Sequence, residues 1–260
     1  MTARIMRDFT TYIEFQRGDI PLIISIPHGG TLKLSGIPNR NKGVLGIDKY
    51  TIQLGKQLIK EIEITFNKKH SEPKKPYYVI SKIHRSRIDL NRKKERAFVQ
   101  SSDLASKIYD LYHNKLDTYI NDSIQNFGRS ILLDIHGFET EKRPNGYRDV
   151  DVIFGTNNLK SLINNSIPKK DWDKNLRGRL IKDLLDLDIP IAPGHPRRKE
   201  YVLKGGFITK KYGAQKKDQS KTIQIEFSDR IRIYNLRLQK QVLKKISEVL
   251  VDDLQKFEPI

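Results

Sequence analysis

Residues 21–30 read Pro21-Leu-Ile-Ile-Ser-Ile-Pro27-His28-Gly29-Gly30, and this stretch decides the fold class. A short apolar run bounded by prolines is the signature of a strand buried on both faces, and the glycine pair turns the chain at its carboxyl end. Outward from it, residues 47–66 repeat apolar side chains at helical spacing (Ile47, Tyr50, Leu54, Leu58, Ile62), with Asp48 in the opening turn. Residues 77–83 form a second strand. Residues 102–126 predict a long amphipathic helix (Leu104, Ile108, Leu111, Leu116, Tyr119, Ile120) capped by Ser102 or Asp103. Strands follow at 131–135, 150–154 and 222–227, and a last helix starts near Asn235 with Leu238, Val242, Ile246, Val249 and Leu254 on one face. Buried strands interleaved with helices predict an α/β three-layer sandwich, its central sheet mostly parallel (mixed) and flanked by helices.

The chain has 260 residues, enough to bury a substantial core, and shows no repeat or low-complexity linker, so one domain over residues 1–260 is expected. With 37% hydrophobic and 31% charged residues it should fold. Cysteine is absent, which excludes a disulfide scaffold, a Cys-ligated zinc ribbon, an iron–sulfur site and a Cys nucleophile. No run reaches the roughly 18 apolar residues of a membrane span. The start, MTARIMRDFTTYIEF, has no signal-peptide core, so a cytoplasmic protein is expected. Forty-nine Lys and Arg against 31 Asp and Glu give a net charge of +18, gathered in clusters such as Lys74-Lys75, Arg92-Lys93-Lys94 and Arg197-Arg198-Lys199. That excess suits an anionic partner, a small carboxylate or nucleic acid, and equally a solvated basic surface.

In open α/β sheets, sites form at the carboxyl ends of strands. His28, the stretch from His84 to Arg92, His136 and Glu226 all fall at such ends. His70, His113 and His195 have the environments of ordinary loop or helix histidines. His28 and His136 each follow a buried strand and precede glycine, a setting for metal ligation by neutral imidazole. A third ligand should be a carboxylate. Asp134, two residues before His136, would orient an imidazole from behind, whereas Asp48 can ligate directly or serve only as an acid at a helix start. Alternation along Thr222-Ile-Gln-Ile-Glu226 puts Glu226 on a polar face, where it can act as general base. The arginines of residues 84–92 can bind a carboxylate or stabilise an oxyanion. The polar loop 137–148 and the basic loop 193–199 are expected as pocket walls.

In order, Pro27-His-Gly-Gly30, Arg85 with Asp89-Leu-Asn-Arg92, Asp134-Ile-His-Gly137, Gly205-Gly-Phe-Ile-Thr209 with Tyr212-Gly213, and Gln224-Ile-Glu226 resemble the N-formylglutamate amidohydrolase family, over roughly residues 20–235. That family is related to the zinc carboxypeptidases and to the aspartoacylase and succinylglutamate desuccinylase group, so the resemblance implies a zinc-carboxypeptidase-like sandwich. It implies one Zn2+ per chain on His28 and His136. The relatives' His-x-x-Glu has Thr31 in its fourth place here, and Asp48 is taken as the third ligand. Glu226 matches the general base, and Asn91 and Arg92 match the pair holding a substrate carboxylate. Arg85 resembles the arginine that polarises the scissile carbonyl, with Arg87 competing for the role. Gly206, with Gly205, would let a loop backbone line the pocket.

The implied reaction is hydrolysis of an N-acyl amino acid, most simply N-formylglutamate to formate and glutamate. A deacylase or carboxypeptidase-like enzyme with another acyl or peptide substrate is the alternative, and manganese or iron would also accept this donor set. A basic nucleic-acid-binding protein on the same scaffold is the reading from a different class. The charge supports it, but no stacking aromatics are interleaved with the basic clusters.

Overall fold

The computed structural model describes residues 10–71, 73–142 and 149–255. Among these, the strands are β1 (Ile13–Gln16), β2 (Leu22–Ile26), β3 (Tyr77–Ser81), β4 (Ser130–Phe138), β5 (Val152–Gly155), β6 (Ile191–Ala192) and β7 (Ser220–Ser228). The helices are α1 (Thr51–His70), α2 (Lys94–Ala97), α3 (Asp103–Phe127), α4 (Leu176–Leu185), α5 (Phe207–Tyr212) and α6 (Leu236–Gln255). The strands form one mixed sheet in the order β1-β3-β2-β4-β7-β5-β6. β3, β2, β4 and β7 run parallel, while β1 and β5 are antiparallel to their neighbours β3 and β7. The three-layer α/β sandwich expected from the sequence is the architecture observed.

Each sheet face has its own core, and the alternation of the strands decides which side chain goes where. Leu22, Ile24, Ile131, Leu133, Ile135, Ile223 and Ile225 face α1, α4 and α6, which contribute Leu58, Ile62, Leu180, Val242 and Ile246. On the other face, Ile23, Val79 and Leu132 pack with Ile108, Tyr112 and Leu116 of α3 and Ile208 of α5. On that second face the apolar layer gives way to polar side chains toward the carboxyl ends of β2, β4 and β7. Ser25, Asp134, His136, Gln224 and Glu226 all emerge there.

Several local expectations change in the structure. The first helix begins at Thr51, so Asp48 lies outside it and not in its opening turn. Tyr50 turns the chain at a positive φ of 61°, and the helix has no acid in its first turn. Asp48 is therefore not there to favour the helix dipole. β4 runs on to Phe138, because its register with β7 continues through Gly137 and Phe138, so His136 lies within the strand and not after it. β1, β6, α2, α4 and α5 had no expectation; the strands among them are short, and the helices sit between loops of mixed polarity.

His113, expected to be an ordinary helix histidine, is buried beneath the functional face. Its Nε2 donates to the Leu90 carbonyl at 3.1 Å, and its Nδ1 is 3.0 Å from the Tyr212 hydroxyl, so it ties α3 to α5 and to the arginine-rich loop. Burial, with Lys211 adding to it, lowers its pKa from 6.5 to about 3 against the opposing Leu90 bond. The unfolded chain then binds a proton that the folded chain refuses between those two values. Stability from this group is complete above about pH 6.5 and is lost as pH falls toward 3, by up to about 1.4 kcal/mol per pH unit. In urea unfolding between pH 4 and 6, His113→Gln is expected to show a shallower acid-side loss than the parent; identical slopes would exclude this origin.

Candidate metal centre

Three side chains from separate segments meet at the carboxyl ends of β2 and β4. His28 follows β2, His136 lies in β4, and Asp48 is brought alongside by the backbone bond from its own N–H to the His28 carbonyl at 3.0 Å. The two Nδ1 atoms are 3.2 Å apart, and Asp48 Oδ2 is 3.1 Å from that of His136 and 3.6 Å from that of His28. All three residues are buried.

The outer nitrogens decide what the inner ones can do. His28 Nε2 is 2.7 Å from Asp89 Oδ1, and His136 Nε2 is 3.0 Å from Asp134 Oδ2. A carboxylate only accepts, so an Nε2 proton on each ring is held by Asp89 or Asp134, and each ring turns Nδ1 inward. Two imidazole nitrogens and a carboxylate oxygen thus converge in a dry place, close enough to share a proton or to bind a metal ion among them. Ligands about 2.0–2.1 Å from a tetrahedral ion lie about 3.3 Å from one another, which is the spacing found. The residues therefore fit a metal ion, and the group can hold one.

The charges around it agree. Asp48 is held well below the usual carboxylate range: burial works against this, but hydrogen bonds from His136 and His28 outweigh it. His136 is pushed well above the usual histidine range; burial opposes the shift, but Asp134 and then Asp48 dominate. Positive charge, whether proton or metal, is drawn to this point.

Asp134 is fully buried and its oxygens are shared out. Ser25 Oγ donates to Oδ1 at 2.8 Å, while Asn91 Nδ2, 3.4 Å away, joins His136 at Oδ2. Asn91 Oδ1 accepts from Ile208 N at 2.8 Å, so the Asn91 amide is committed within the protein at both ends. Gly206 packs directly on it: a Cβ at Gly206 would stand 2.3 Å from Asn91 Nδ2. Gly205, at φ +94°, makes the preceding left-handed turn.

Asp89 gathers the arginines. Its Oδ2 is 3.2 Å from Arg85 Nε, 3.6 Å from Arg40 and 3.8 Å from Arg92. Burial would raise its pKa, but His28 and then Arg85 and Arg92 hold it well below the usual range. Arg85 also reaches Asp48 Oδ1 at 3.5 Å through Nη1, which leaves the Nη2 edge outside these two contacts. Arg87 instead donates to the Ile37 carbonyl. The structure thus brings Arg85, and not Arg87, to the His–Asp–His group. The Arg92 side chain is 43% exposed.

Glu226 stands directly opposite His136 in the β4–β7 register. Burial raises its pKa, the nearby Asp48 adds to this, and His136 opposes it. Gln224 Nε2 donates to Glu226 Oε1 at 2.8 Å, and Gln224 Oε1 accepts from Gly206 N at 2.6 Å. One amide thereby fixes both the carboxylate and the glycine loop.

Sequence reasoning missed Asp89, Arg40, Gln224 and Arg232 as parts of the site. The interposed Asp-Leu-Asn of residues 89–91 and the alternation of β7 carried a signal for Asp89 and Gln224. Arg232 had none. It lies in a π-helical turn, Arg230–Tyr234, and its guanidinium donates to the carbonyls of Phe227, Phe138 and Lys49, clamping the ends of β7 and β4 to the segment that bears Asp48. Of the expected pocket walls, residues 143–148 lie outside the described residues. The 193–199 loop instead contacts Asp173 and the buried Arg177, and His195 accepts from Arg197 N at 3.0 Å.

Comparison with known proteins adds the fold's relatives. No family profile and no curated protein matches the sequence. Among solved structures, N-formylglutamate amidohydrolase from Ralstonia eutropha JMP134 superposes with a TM-score of 0.60 at 13% identity, over 95% of this chain and 98% of that one. A gene product from Agrobacterium tumefaciens matches with a TM-score of 0.55 at 13% identity, over 96% and 94%. These likenesses establish a shared fold. Among the described residues, no helix is long and apolar enough to cross a membrane.

Removing the carboxylate behind a ligating imidazole typically weakens metal binding about 10–100-fold. Asp89→Asn is accordingly expected to lose affinity for a divalent ion by that factor in a chelator competition while keeping its far-ultraviolet circular dichroism. Undiminished affinity would show that Asp89 does not orient His28.

Proposed function

We propose that this chain is a metal-dependent hydrolase cleaving the amide bond of an N-acyl amino acid, most simply N-formylglutamate to formate and glutamate. The observation that carries the reading is the convergence of His28 Nδ1, His136 Nδ1 and Asp48 Oδ2, with Glu226 beside His136 on the neighbouring strand. Zinc is the preferred occupant, one per chain, since two imidazoles and one carboxylate leave a fourth position open. When bound, such an ion makes water acidic enough to ionise near neutral pH and withdraws electrons from a carbonyl oxygen. The likeness in fold to an N-formylglutamate amidohydrolase supports the choice of substrate.

The chain's own residues divide the remaining work. Glu226 accepts a proton from the attacking water and returns it to the leaving amine, so one water is added across the acyl C–N bond. Burial raises its pKa, which makes it the stronger base for that proton. Arg85, held by Asp48 and Asp89, directs its remaining edge at the oxygen that becomes negative in the tetrahedral state. Arg92 takes the substrate carboxylate in a two-pronged contact. Asn91, expected to share that carboxylate, acts from beneath through Asp134 and the α5 backbone. Gly206 lets that backbone approach, and Arg87 serves the wall at Ile37.

Glu226→Gln is expected to retain metal and lose about two to four orders of magnitude in turnover, while His136→Ala loses metal and activity together. Metal content by plasma mass spectrometry, with formate release from N-formylglutamate, checks both. Normal turnover by Glu226→Gln would remove the base, and metal-free wild type after reconstitution would overturn the hydrolase. Metal with turnover only on another N-acyl amino acid would move the substrate and keep the reaction.

A further inference from the structure

Arg40 and Arg92, both beside Asp89, also line a cleft of about 710 Å3, together with Lys42, Glu95, Arg96 and Phe98 among others. Four cations against one carboxylate give it a local charge of 4 − 1 = +3. Arg40 is not available to a ligand. Its guanidinium donates to the carbonyls of Lys42, Val44 and Arg85, so it builds the wall. Lys42 and Arg96 are exposed, and Phe98, also on the lining, is buried. Arg92 belongs to both regions, with Nε 3.8 Å from Asp89 and its outer face on the cleft. A molecule whose carboxylate rests on Arg92 can continue into the cleft.

We infer that the natural substrate extends past the acylated residue into a run of anionic groups, and that this cleft receives them: the enzyme removes the acyl group from the amino end of a short acidic peptide. This rests on the hydrolase reading above and adds the substrate's leaving side to it. A volume in the range of about 300–1,000 Å3 suits a ligand of several residues' size, more than one N-acyl amino acid fills. Lys42, Arg92 and Arg96 supply donors for successive carboxylates. Nucleic acid fits less well, because the aromatic ring in the cleft is buried and offers no face for a base. The reaction balances as acyl–NH–peptide plus water giving the acyl acid and a peptide with a free amine.

The test compares N-formyl-Glu, N-formyl-Glu-Glu-Glu and N-formyl-Glu-Gln-Gln as substrates of the metal-loaded protein, together with fluorescein-labelled Glu-Glu-Glu, which has no scissile acyl group, in anisotropy. The acidic tripeptide is expected to exceed the other two in kcat/KM by about tenfold or more, the worth of one good contact. That advantage, and binding of the labelled peptide, are expected to fall away in the Lys42→Ala/Arg96→Ala variant and with rising salt. Equal kcat/KM on all three substrates would overturn the cleft's role and leave the hydrolase standing. Peptide binding that depends on Lys42 and Arg96, with no acyl compound hydrolysed, would support the cleft and overturn the hydrolase. Peptide binding and preference that both survive the double variant would also overturn the assignment.

Discussion

Two imidazole lone pairs and a carboxylate oxygen aimed at one buried point repel one another unless positive charge sits among them, and much of this structure is arranged to impose that convergence. Asp89 and Asp134 each take the outer proton of one histidine, so neither ring can relieve the strain by turning its protonated nitrogen inward. Ser25 and Asn91 in turn hold Asp134, and three arginines hold Asp89. Arg85 grips the outer oxygens of both Asp48 and Asp89. Asp48 and Asp89 are thereby kept ionised although burial opposes it.

The parallel register of β4 with β7 does the next part. It sets His136 beside Glu226 and Asp134 beside Gln224, so the ligand and the base share one face at one level. Because alternation sends Ile135 and Ile225 to the opposite face, a single pair of strands supplies both a dry core and a polar site. A slip of one residue would exchange the two and destroy both.

Loops finish the site, and each is anchored from below. The arginine-rich loop rests on His113 through Leu90, and the segment bearing Asp48 is clamped by Arg232. On the other side, the chain leading to Gly205 and Gly206 is secured by the fully buried Arg177–Glu200 pair, at 2.9 Å, with Thr156 and Asn158 donating to the same carboxylate. Buried ion pairs with every oxygen occupied add little net stability, but they allow few alternative arrangements of the loop they hold.

Local chemistry alone determined a good deal here. The strands at 21–27, 77–83, 131–135, 150–154 and 222–227 and the three long helices were legible because burial imposes a period that the sequence must carry. His28, His136 and Glu226 were legible because each interrupts or ends such a strand, where a polar side chain needs a reason. Asp48 was legible as a carboxylate near the first strand, but its surroundings were not: the helix starts four residues later than its apolar spacing suggests, and a bond to the His28 backbone holds it. Which of Arg85 and Arg87 faces the metal group, that Asn91 is bound at both ends, and that Asp89, Gln224 and Arg232 support the site were decided by contacts between residues far apart in the chain. Arg85–Asp48, Asp89–His28, Asn91–Ile208 and Arg232–Lys49 are partners 37, 61, 117 and 183 residues apart; such pairs leave no periodic trace, so only the tertiary structure could assign them.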